Sequence, residues 1–336
     1  MDWTDPAPEE VADGVFRIAL PLPHDALRAV NVYALTGSDG LSLIDGGWAA
    51  ASATEALAEA LQSLGWQLAE IEQCLVTHIH RDHYTEAVRL QREHGVRLGL
   101  GQGEQANLEQ ILAWGNRPAF ADTLGFLRRC GAGELLAEVA RLPVPPREAD
   151  DWHRPDRWLV DGTAVTAGGR SLAVLATPGH TAGHVVFHDA ADRVLFAGDH
   201  VLPHITPSIG FEPVRVPYPL RDFLDSLQLL LRQPDARLLP AHGPVAESVH
   251  QRVQQLLDHH ERRLAATETV VRSGAHTALA VAERLPWTRR ERALTELDLF
   301  NRMLAVSETS AHLDVLVLQG RLCSEAVEEI ERYRVS

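Results

Sequence analysis

The sequence predicts an α/β fold followed by a small, mostly helical C-terminal domain. Three observations support this. Apolar, strand-like runs alternate with Ala- and Leu-rich helical segments through residues 1–248. Several of these runs end in His or Asp, and α/β scaffolds collect functional groups at strand ends. Residues 249–336 show an almost purely helical pattern, so we place a domain boundary between 248 and 249.

Length and composition fit an ordinary globular protein. The chain has 336 residues, of which 45% are hydrophobic and 23% are charged. It has no apolar run of membrane-span length and no signal-peptide layout, so we predict a cytoplasmic protein with no membrane partner. The net charge of −15 makes a nucleic-acid partner unexpected. The three cysteines form no CxxC pair, which argues against a thiolate metal site.

The N-terminal part predicts a short meander at the edge of a sheet. Strands are predicted at 14–20, 30–35 and 41–45, with Gly-rich turns between them. The third strand ends at Asp45, which has two interpretations. It is either a turn residue or a carboxylate that orients nearby metal ligands. A helix is predicted next, at 51–64.

The strongest functional signal lies at 77–83, directly after an apolar strand. His78, His80, Asp82 and His83 place four potential metal ligands within six residues. The first two histidines can point the same way from an extended segment, while the other two ligands follow on the turn into a helix. Imidazole and carboxylate groups suit zinc or iron. A His-rich surface loop is the alternative, but further candidate ligands downstream count against it.

Residues 104–142 interrupt the alternation with a long, mostly helical stretch. It is too long for a connection between two elements. Two interpretations stay open: helices that fill the core, or a helical lid over a pocket that contacts substrate. A rigid Pro-rich spacer is predicted after it, at 142–146.

Three later strand ends each carry another candidate ligand. A second, hairpin-rich sheet is predicted from 158–162, 170–176 and 185–188 onward. His180 follows the strand at 170–176, Asp199 follows a strand at 193–197, and His242 follows one at 236–240. Together with the ligands at 78–83, these groups suffice for two metal ions bridged by one carboxylate.

The C-terminal residues predict helices joined by short turns. We expect helices at 249–269, 277–284, 289–306 and 309–319, in a winged-helix-like module. Acidic and basic side chains are almost equal in number here, so no basic recognition face is expected. Packing against the catalytic domain or formation of a homodimer is the favoured role.

Taken together, these motifs resemble the metallo-β-lactamase superfamily of metallohydrolases over most of residues 14–248. The resemblance rests on His78-x-His80-x-Asp82-His83, Gly179-His180-Thr181-x-Gly183-His184, Gly198-Asp199 and His242-Gly243. It implies an αββα sandwich, in which two mixed sheets lie face to face with helices outside and the site lies at one edge. The C-terminal region is similar to the winged-helix appendage of some members.

The resemblance also implies the roles of the ligands. One metal ion would be held by His78, His80 and His180, the other by Asp82, His83 and His242, and Asp199 would bridge them. His184 would then support the ligands without binding metal. Zn²⁺ is the expected ion, and Mn²⁺ or Fe²⁺ suits the same donors.

We therefore predict a metal-dependent hydrolase that cleaves an acyl bond of a small-molecule thioester, ester or lactone. A hydroxide held between the two ions would be the nucleophile, and Asp82 would be both ligand and proton acceptor. Tyr84, His204 and Tyr218 are candidate substrate contacts. The loop 201–219 and the stretch 104–142 would shape the apolar part of the pocket.

Three other functions are less expected. A phosphodiesterase or ribonuclease could use the same two ions, but the acidic chain counts against it. β-Lactam hydrolysis is disfavoured because the β-lactamases with a thiolate ligand carry Cys where this chain has Asp199. A non-catalytic metal module is disfavoured because purely structural sites are closed and mononuclear.

Overall fold

The computed structural model describes residues 2–23, 27–38, 40–113, 121–141 and 151–336, with the backbone alone for 121–124. It confirms the predicted α/β class, with two mixed sheets, outer helices and a helical C-terminal region. The Pro-rich spacer predicted at 142–146 lies outside the described residues. Among the described residues, the structure contains no helix with the length and apolarity of a membrane span.

The first sheet has seven strands that follow one another in chain order. Its strands are β1 Glu9–Ala12, β2 Val15–Pro21, β3 Ala29–Gly37, β4 Gly40–Ile44, β5 Ile71–Val76, β6 Arg97–Gly101 and β7 Arg157–Leu159. Strands β2 to β4 form the predicted antiparallel meander, which β1 extends by one strand that was not predicted, and β4 to β7 run parallel. Helices α1 (Ala51–Ser63) and α2 (Arg81–His94) connect the parallel strands β4, β5 and β6.

In its described part, the predicted helical stretch contains three short helices: α3 Gln105–Ala113, α4 Ala121–Arg129 and α5 Gly133–Val139. The second sheet follows, with β8 Ala164–Ala167, β9 Arg170–Ala176, β10 Val185–Asp189, β11 Val194–Gly198 and β12 Arg237–Pro240. Its order is β12-β11-β10-β9-β8, and only β11 and β12 pair in parallel. Helix α6 (Pro219–Leu231) connects those two strands.

The two sheets pack face to face. Tyr33 and Leu75 of the first sheet share a buried cluster with Phe187 and Phe196 of the second, and the Tyr33 and Phe196 rings meet edge to face at 5.4 Å. Side chains alternate along a strand, so Val186 points to the opposite face and packs with the outer helices. Apolar runs without alternation in the sequence therefore reflect strands that are buried on both faces.

The C-terminal region consists of three helices and a hairpin: α7 Val249–Arg272, α8 Ala278–Ala282, α9 Leu299–Leu318, β13 Leu322–Val327 and β14 Ile330–Val335. The helix predicted to begin at 289 begins only at Leu299, because the Asp298 carboxylate accepts a hydrogen bond from Asn301 N at 2.9 Å and caps it there. The predicted break at 306–309 is also wrong, since α9 continues through it. The winged-helix assignment stays a prediction.

Helices α4 and α5 pack against the C-terminal region. Leu279 N donates to Cys130 O at 3.0 Å, and Arg302 forms an ion pair with Glu138 at 2.5 Å. Buried residues of α4, α5, α6, α7 and α9 belong to one hydrophobic cluster. These contacts place α4 and α5 in the hydrophobic core, and the lid over a substrate pocket stays a prediction. The hydrophobic core also crosses the boundary predicted at 248.

One buried carboxyl group outside the predicted site makes stability depend on pH. The Glu86 side chain of α2 is fully buried, and this burial raises its pKa to about 7. An unfolded chain titrates Glu near ~4.3. Between these values the folded state holds a proton that the unfolded state has released, so the stability contribution is lost as pH rises through the window.

We therefore expect Glu86→Gln to raise the free energy of unfolding at pH 8 by on the order of 2 kcal/mol, with little change at pH 4.5. Urea unfolding of the metal-free protein at both pH values measures this difference. Glu93→Gln, an exposed position of the same helix, is the matched control. An equal effect of Glu86→Gln at both pH values would contradict the assignment.

Candidate metal centre

The seven candidate metal ligands converge at one edge of the sandwich. They come from the segments that follow β5, β9, β11 and β12. They form two groups, in each of which the donor atoms lie within 4.8 Å of one another. The first group is His78, His80, His180 and Asp199, and the second group is Asp82, His83 and His242.

The first group has the donor spacing of a tetrahedral site. His180 Nε2 lies 3.2 Å from His78 Nε2 and 3.0 Å from His80 Nδ1, and 3.5 Å from Asp199 Oδ2. Zinc ligands at about 2.0–2.1 Å from the ion are separated by roughly 3.3 Å in a tetrahedron. The spacing therefore fits a divalent cation.

Asp199 extends from the first group to the second. Its Oδ1 atom lies 3.3 Å from His242 Nε2 and 3.7 Å from His83 Nε2. Asp82 Oδ2 lies 3.4 Å from His242 Nε2 and 3.6 Å from His83 Nε2. The two carboxylate oxygens of Asp199 therefore face different groups of donors.

Three donor atoms of the cluster have no hydrogen-bond partner among the described residues. His83 Nε2, His242 Nε2 and Asp199 Oδ1 are buried and have no hydrogen-bond partner there. Buried polar atoms are normally paired, and an unpaired group costs about 1–3 kcal/mol. Their position next to one another fits a cation as their common partner.

The second nitrogen of each imidazole has a fixed partner. These contacts are His78 Nδ1 with Thr77 Oγ1 at 3.1 Å, His80 Nε2 with Phe211 O at 2.9 Å, His83 Nδ1 with Asp45 Oδ2 at 2.9 Å, His180 Nδ1 with Ser208 O at 2.7 Å and His242 Nδ1 with Ala29 O at 2.8 Å. Carbonyl and carboxylate oxygens only accept hydrogen bonds. The last four rings therefore carry a proton on that side, which leaves the other ring nitrogen directed at the cluster.

The electrostatics of the two groups differ. Burial and neighbouring imidazoles lower the pKa of His78 well below its usual value. The same two causes lower the pKa of His180 to about 4, so both rings are neutral at pH 7. Burial also lowers the pKa of His83, but Asp82, Asp45 and Asp199 outweigh it and raise the value to about 10. The carboxylates thus create an excess of negative charge that favours a cation at the second group.

Asp45 lies at a turn and also contacts one of the candidate ligands. It adopts a left-handed backbone conformation, with φ at 61°, at the turn after β4. Its Oδ1 atom accepts from Thr77 N at 2.8 Å and from Thr77 Oγ1 at 3.0 Å, while Oδ2 orients His83. One carboxylate therefore fixes the start of the His-rich segment and the direction of one ring.

His184 lies behind the cluster. Asp199 N donates to His184 Nε2 at 3.1 Å, so the imidazole proton is on Nδ1, which lies 2.9 Å from Thr177 Oγ1. With both nitrogens engaged, the ring positions the backbone of Asp199 and has no lone pair left for a metal ion.

The three predicted substrate contacts have different environments. Tyr84 is fully buried, and its hydroxyl donates to His153 O at 2.6 Å, so the structure contradicts a role in substrate contact. The helical repeat places Tyr84 on the face of α2 that packs against the core. His204 is exposed and lies beside Gly243, the residue after His242. Tyr218 is 37% exposed at the start of α6. Both stay predictions.

Sequence reasoning missed a buried carboxylate, Glu104, which contacts the backbone segments of the first group. Its Oε1 atom accepts from Ile79 N at 3.3 Å, between the first two histidines, and from Thr181 Oγ1 at 2.5 Å, directly after the third. Burial raises its pKa to about 7. Nothing near Glu104 in the sequence indicates this role, because both partners are distant along the chain.

Asn107 extends this network to the loop 201–219. Its Nδ2 atom donates to Glu104 Oε2 at 2.8 Å and to Glu212 Oε2 at 2.6 Å, and its Oδ1 accepts from Val214 N at 2.9 Å. The same loop supplies the Phe211 carbonyl that accepts from His80. Helix α3 therefore fixes both the first group and the loop that orients it.

Glu104→Gln should weaken metal binding at the first group by about 10–100-fold and leave the second group unchanged. Glutamine loses the charge and one acceptor, so one of the three donors loses its partner. Competition with a zinc chelator should show one of two binding steps weakened. Glu109→Gln, on an exposed position of α3, is the control. Equal weakening of both steps would contradict this role.

Comparison with known proteins identifies the family. The family model of the metallo-β-lactamase superfamily matches residues 25–242. This chain belongs to the metallo-β-lactamase superfamily. The match covers all seven candidate ligands and both sheets apart from β1 and β2, which confirms the resemblance predicted from the motifs.

Relatives within the superfamily include hydrolases. A probable metallo-hydrolase from Bacillus subtilis is 28% identical over 330 residues, covering 93% of this chain and 95% of the relative. A human acyl-coenzyme A thioesterase is 28% identical over 217 residues, covering 60% and 67%. A metallo-β-lactamase family protein from Thermus thermophilus superposes with a TM-score of 0.77 at 28% identity, covering 97% and 100%. The chain is thus a metallo-β-lactamase-fold hydrolase with a divalent-metal site.

Proposed function

We propose that this protein is a dinuclear, zinc-dependent hydrolase of small-molecule acyl thioesters. The observation that carries the proposal is the position of Asp199, whose two oxygens face two separate groups of histidine and aspartate donors. Support for a thioester comes from the human relative named as an acyl-coenzyme A thioesterase. Esters and lactones share the same acyl chemistry and are the nearest alternatives.

The chain's own residues would hold two cations and handle the proton. Zn²⁺ ions at such a site polarise a carbonyl and lower the pKa of a water molecule to about 7. His78, His80 and His180 would hold one ion, Asp82, His83 and His242 the other, and Asp199 both. These donors are almost all buried, which keeps their geometry fixed and bulk water out.

Asp82 is suited to accept the proton of the attacking water. Its side chain is 21% exposed, against 9% for Asp199 and 0–2% for the second-group histidines, so it is the most accessible donor there. Burial raises its pKa, but His83 and His242 outweigh this effect and hold the pKa below its usual range. The carboxylate is therefore ionised at neutral pH, takes the water proton, and can pass it to the departing thiolate.

A substrate panel tests this proposal. We expect the zinc-loaded protein to hydrolyse acyl thioesters with chelator-sensitive kinetics, faster than aryl esters, acyl lactones, a cephalosporin and single-stranded RNA. Thiol release, followed with a colorimetric thiol reagent, gives the rate for the thioesters. Cleavage of RNA alone would overturn the proposal in favour of a phosphodiesterase, and turnover of the cephalosporin alone would favour a β-lactamase.

A further inference from the structure

Two arginines of the C-terminal region meet the loop 201–219. Arg252, near the start of α7, donates from Nε to Leu202 O at 2.6 Å and from a terminal nitrogen to Ile205 O at 2.9 Å. Arg289 donates to the carbonyl of His204, which lies between them. Two guanidinium groups are thereby fixed on four consecutive loop residues.

The turn that carries Arg289 is itself rigid. Trp287 and Arg292 exchange two backbone hydrogen bonds, of 2.9 and 2.7 Å, and so close the turn. Arg263 of α7 donates to Pro286 O at 2.8 Å and stacks on the Trp287 ring at 4.1 Å. Arg289 is therefore held in place before any ligand arrives, which reduces the entropy cost of binding.

The charge of the pair is not compensated within the protein. In the part of the chain that the structure describes, neither Arg252 nor Arg289 forms an ion pair with a carboxylate. Burial and the neighbouring Arg289 lower the pKa of the half-buried Arg252. In a chain of net charge −15, these two neighbouring cations form a local site of positive charge.

The loop that the two arginines contact also lies beside the candidate metal centre. A Cβ at Gly243, directly after His242, would come within 2.7 Å of Pro203 Cγ and 4.0 Å of the His204 ring. The same loop provides the Ser208 carbonyl that accepts from His180. The loop segment that both arginines contact therefore adjoins the residue after His242 and also orients a ligand of the first group.

We propose that Arg252 and Arg289 bind the phosphate groups of the leaving group, so that the preferred substrate is a phosphate-bearing thioester of the acyl-coenzyme A class. Guanidinium groups bind phosphate through paired, charge-assisted hydrogen bonds. This inference rests on the proposed thioesterase function, and it assigns recognition of the leaving group to the C-terminal region.

The test compares two thioesters of the same acyl group: the coenzyme A thioester and the N-acetylcysteamine thioester, which lacks phosphate. We expect the wild type to prefer the first, with a KM that rises with ionic strength. Arg289→Gln keeps a donor for His204 O but loses the charge, and should reduce this preference about tenfold. Arg289→Lys keeps the positive charge, so it should recover part of the preference and the dependence of KM on ionic strength.

Arg284→Gln is the matched control, because Arg284 is an exposed arginine of the same region that donates to a backbone carbonyl, Ser273 O, at 3.2 Å. It should leave the preference unchanged. Equal use of both thioesters by the wild type, or an unchanged preference in Arg289→Gln, would overturn the inference and leave the thioesterase proposal intact.

Binding of adenosine 3′,5′-bisphosphate, measured by calorimetry, separates the two proposals. This probe has neither thiol nor acyl group, so it reports the arginine pair without turnover. Hydrolysis of neither thioester would overturn the proposed function. Binding that weakens about tenfold in Arg289→Gln, and not in Arg284→Gln, would support the phosphate site in either case. Equally tight binding to the wild type and Arg289→Gln would overturn it.

Discussion

Asp199→Ala is expected to remove both metal ions and to reduce hydrolysis to the background rate. Each oxygen of Asp199 faces a different group, so its loss deprives both ions of a ligand. It also leaves the second group with less negative charge to balance a cation, and the bridge between the two groups disappears. Elemental analysis of the purified variant measures the metal content, and thiol release measures the activity.

Two further variants serve as controls for Asp199→Ala. Asp199→Asn keeps the shape of the side chain and loses its charge, so it should fold and still bind fewer than two ions per chain. Asp225→Ala, at an exposed position of α6, should retain both ions and full activity. If Asp199→Ala keeps two ions, the bridging assignment is wrong.

Removal of the metal ions should abolish activity reversibly and destabilise the fold. Without cations, buried donors such as His83 Nε2, His242 Nε2 and Asp199 Oδ1 have no partner among the described residues, and the carboxylates around them repel one another. Binding to the folded state alone at 1,000 times Kd contributes about 4 kcal/mol. For a chain of this size one ion at that saturation contributes roughly 6 °C to the Tm, so we expect the loss of two ions to lower the Tm by roughly 10 °C.

Differential scanning calorimetry before and after treatment with a chelator measures this shift. Activity and the original Tm should return when Zn²⁺ is added back. The Asp199→Asn variant provides the control, because the chelator should change its Tm much less. An unchanged Tm and an unchanged rate in the metal-free wild type would show that the cluster stabilises itself and works without a cation.

The candidate site could be predicted from sequence where its donors follow apolar strands. The donors His78 to His83, His180, Asp199 and His242 lie within a few residues of a strand end, and the ends of neighbouring strands meet at one edge of a sandwich. Local sequence therefore determined the ligand positions. The alternating strands and helices likewise predicted the order of the elements.

Groups held by distant contacts could not be predicted. Glu104 contacts residues 25 and 77 positions away, and Asn107 contacts a residue 105 positions away, so no local pattern indicates their role. The prediction that Tyr84 contacts substrate is wrong because its side chain does not point the same way as that of His83. In a helix, side chains of adjacent residues point about 100° apart. The start of α9 was predicted too early, because residues 289–298 have a helix-like composition. The helix begins only after its N-cap, Asp298.

Titration of metal into the metal-free protein, with thiol release from one acyl thioester as the readout, tests the central claim most directly. We expect hydrolysis to rise with added Zn²⁺ and to reach its maximum at two ions per chain, because in the proposed site Asp199 connects two occupied groups. A full rate at one ion per chain would contradict the dinuclear site. No thiol release at any metal content would contradict the thioesterase.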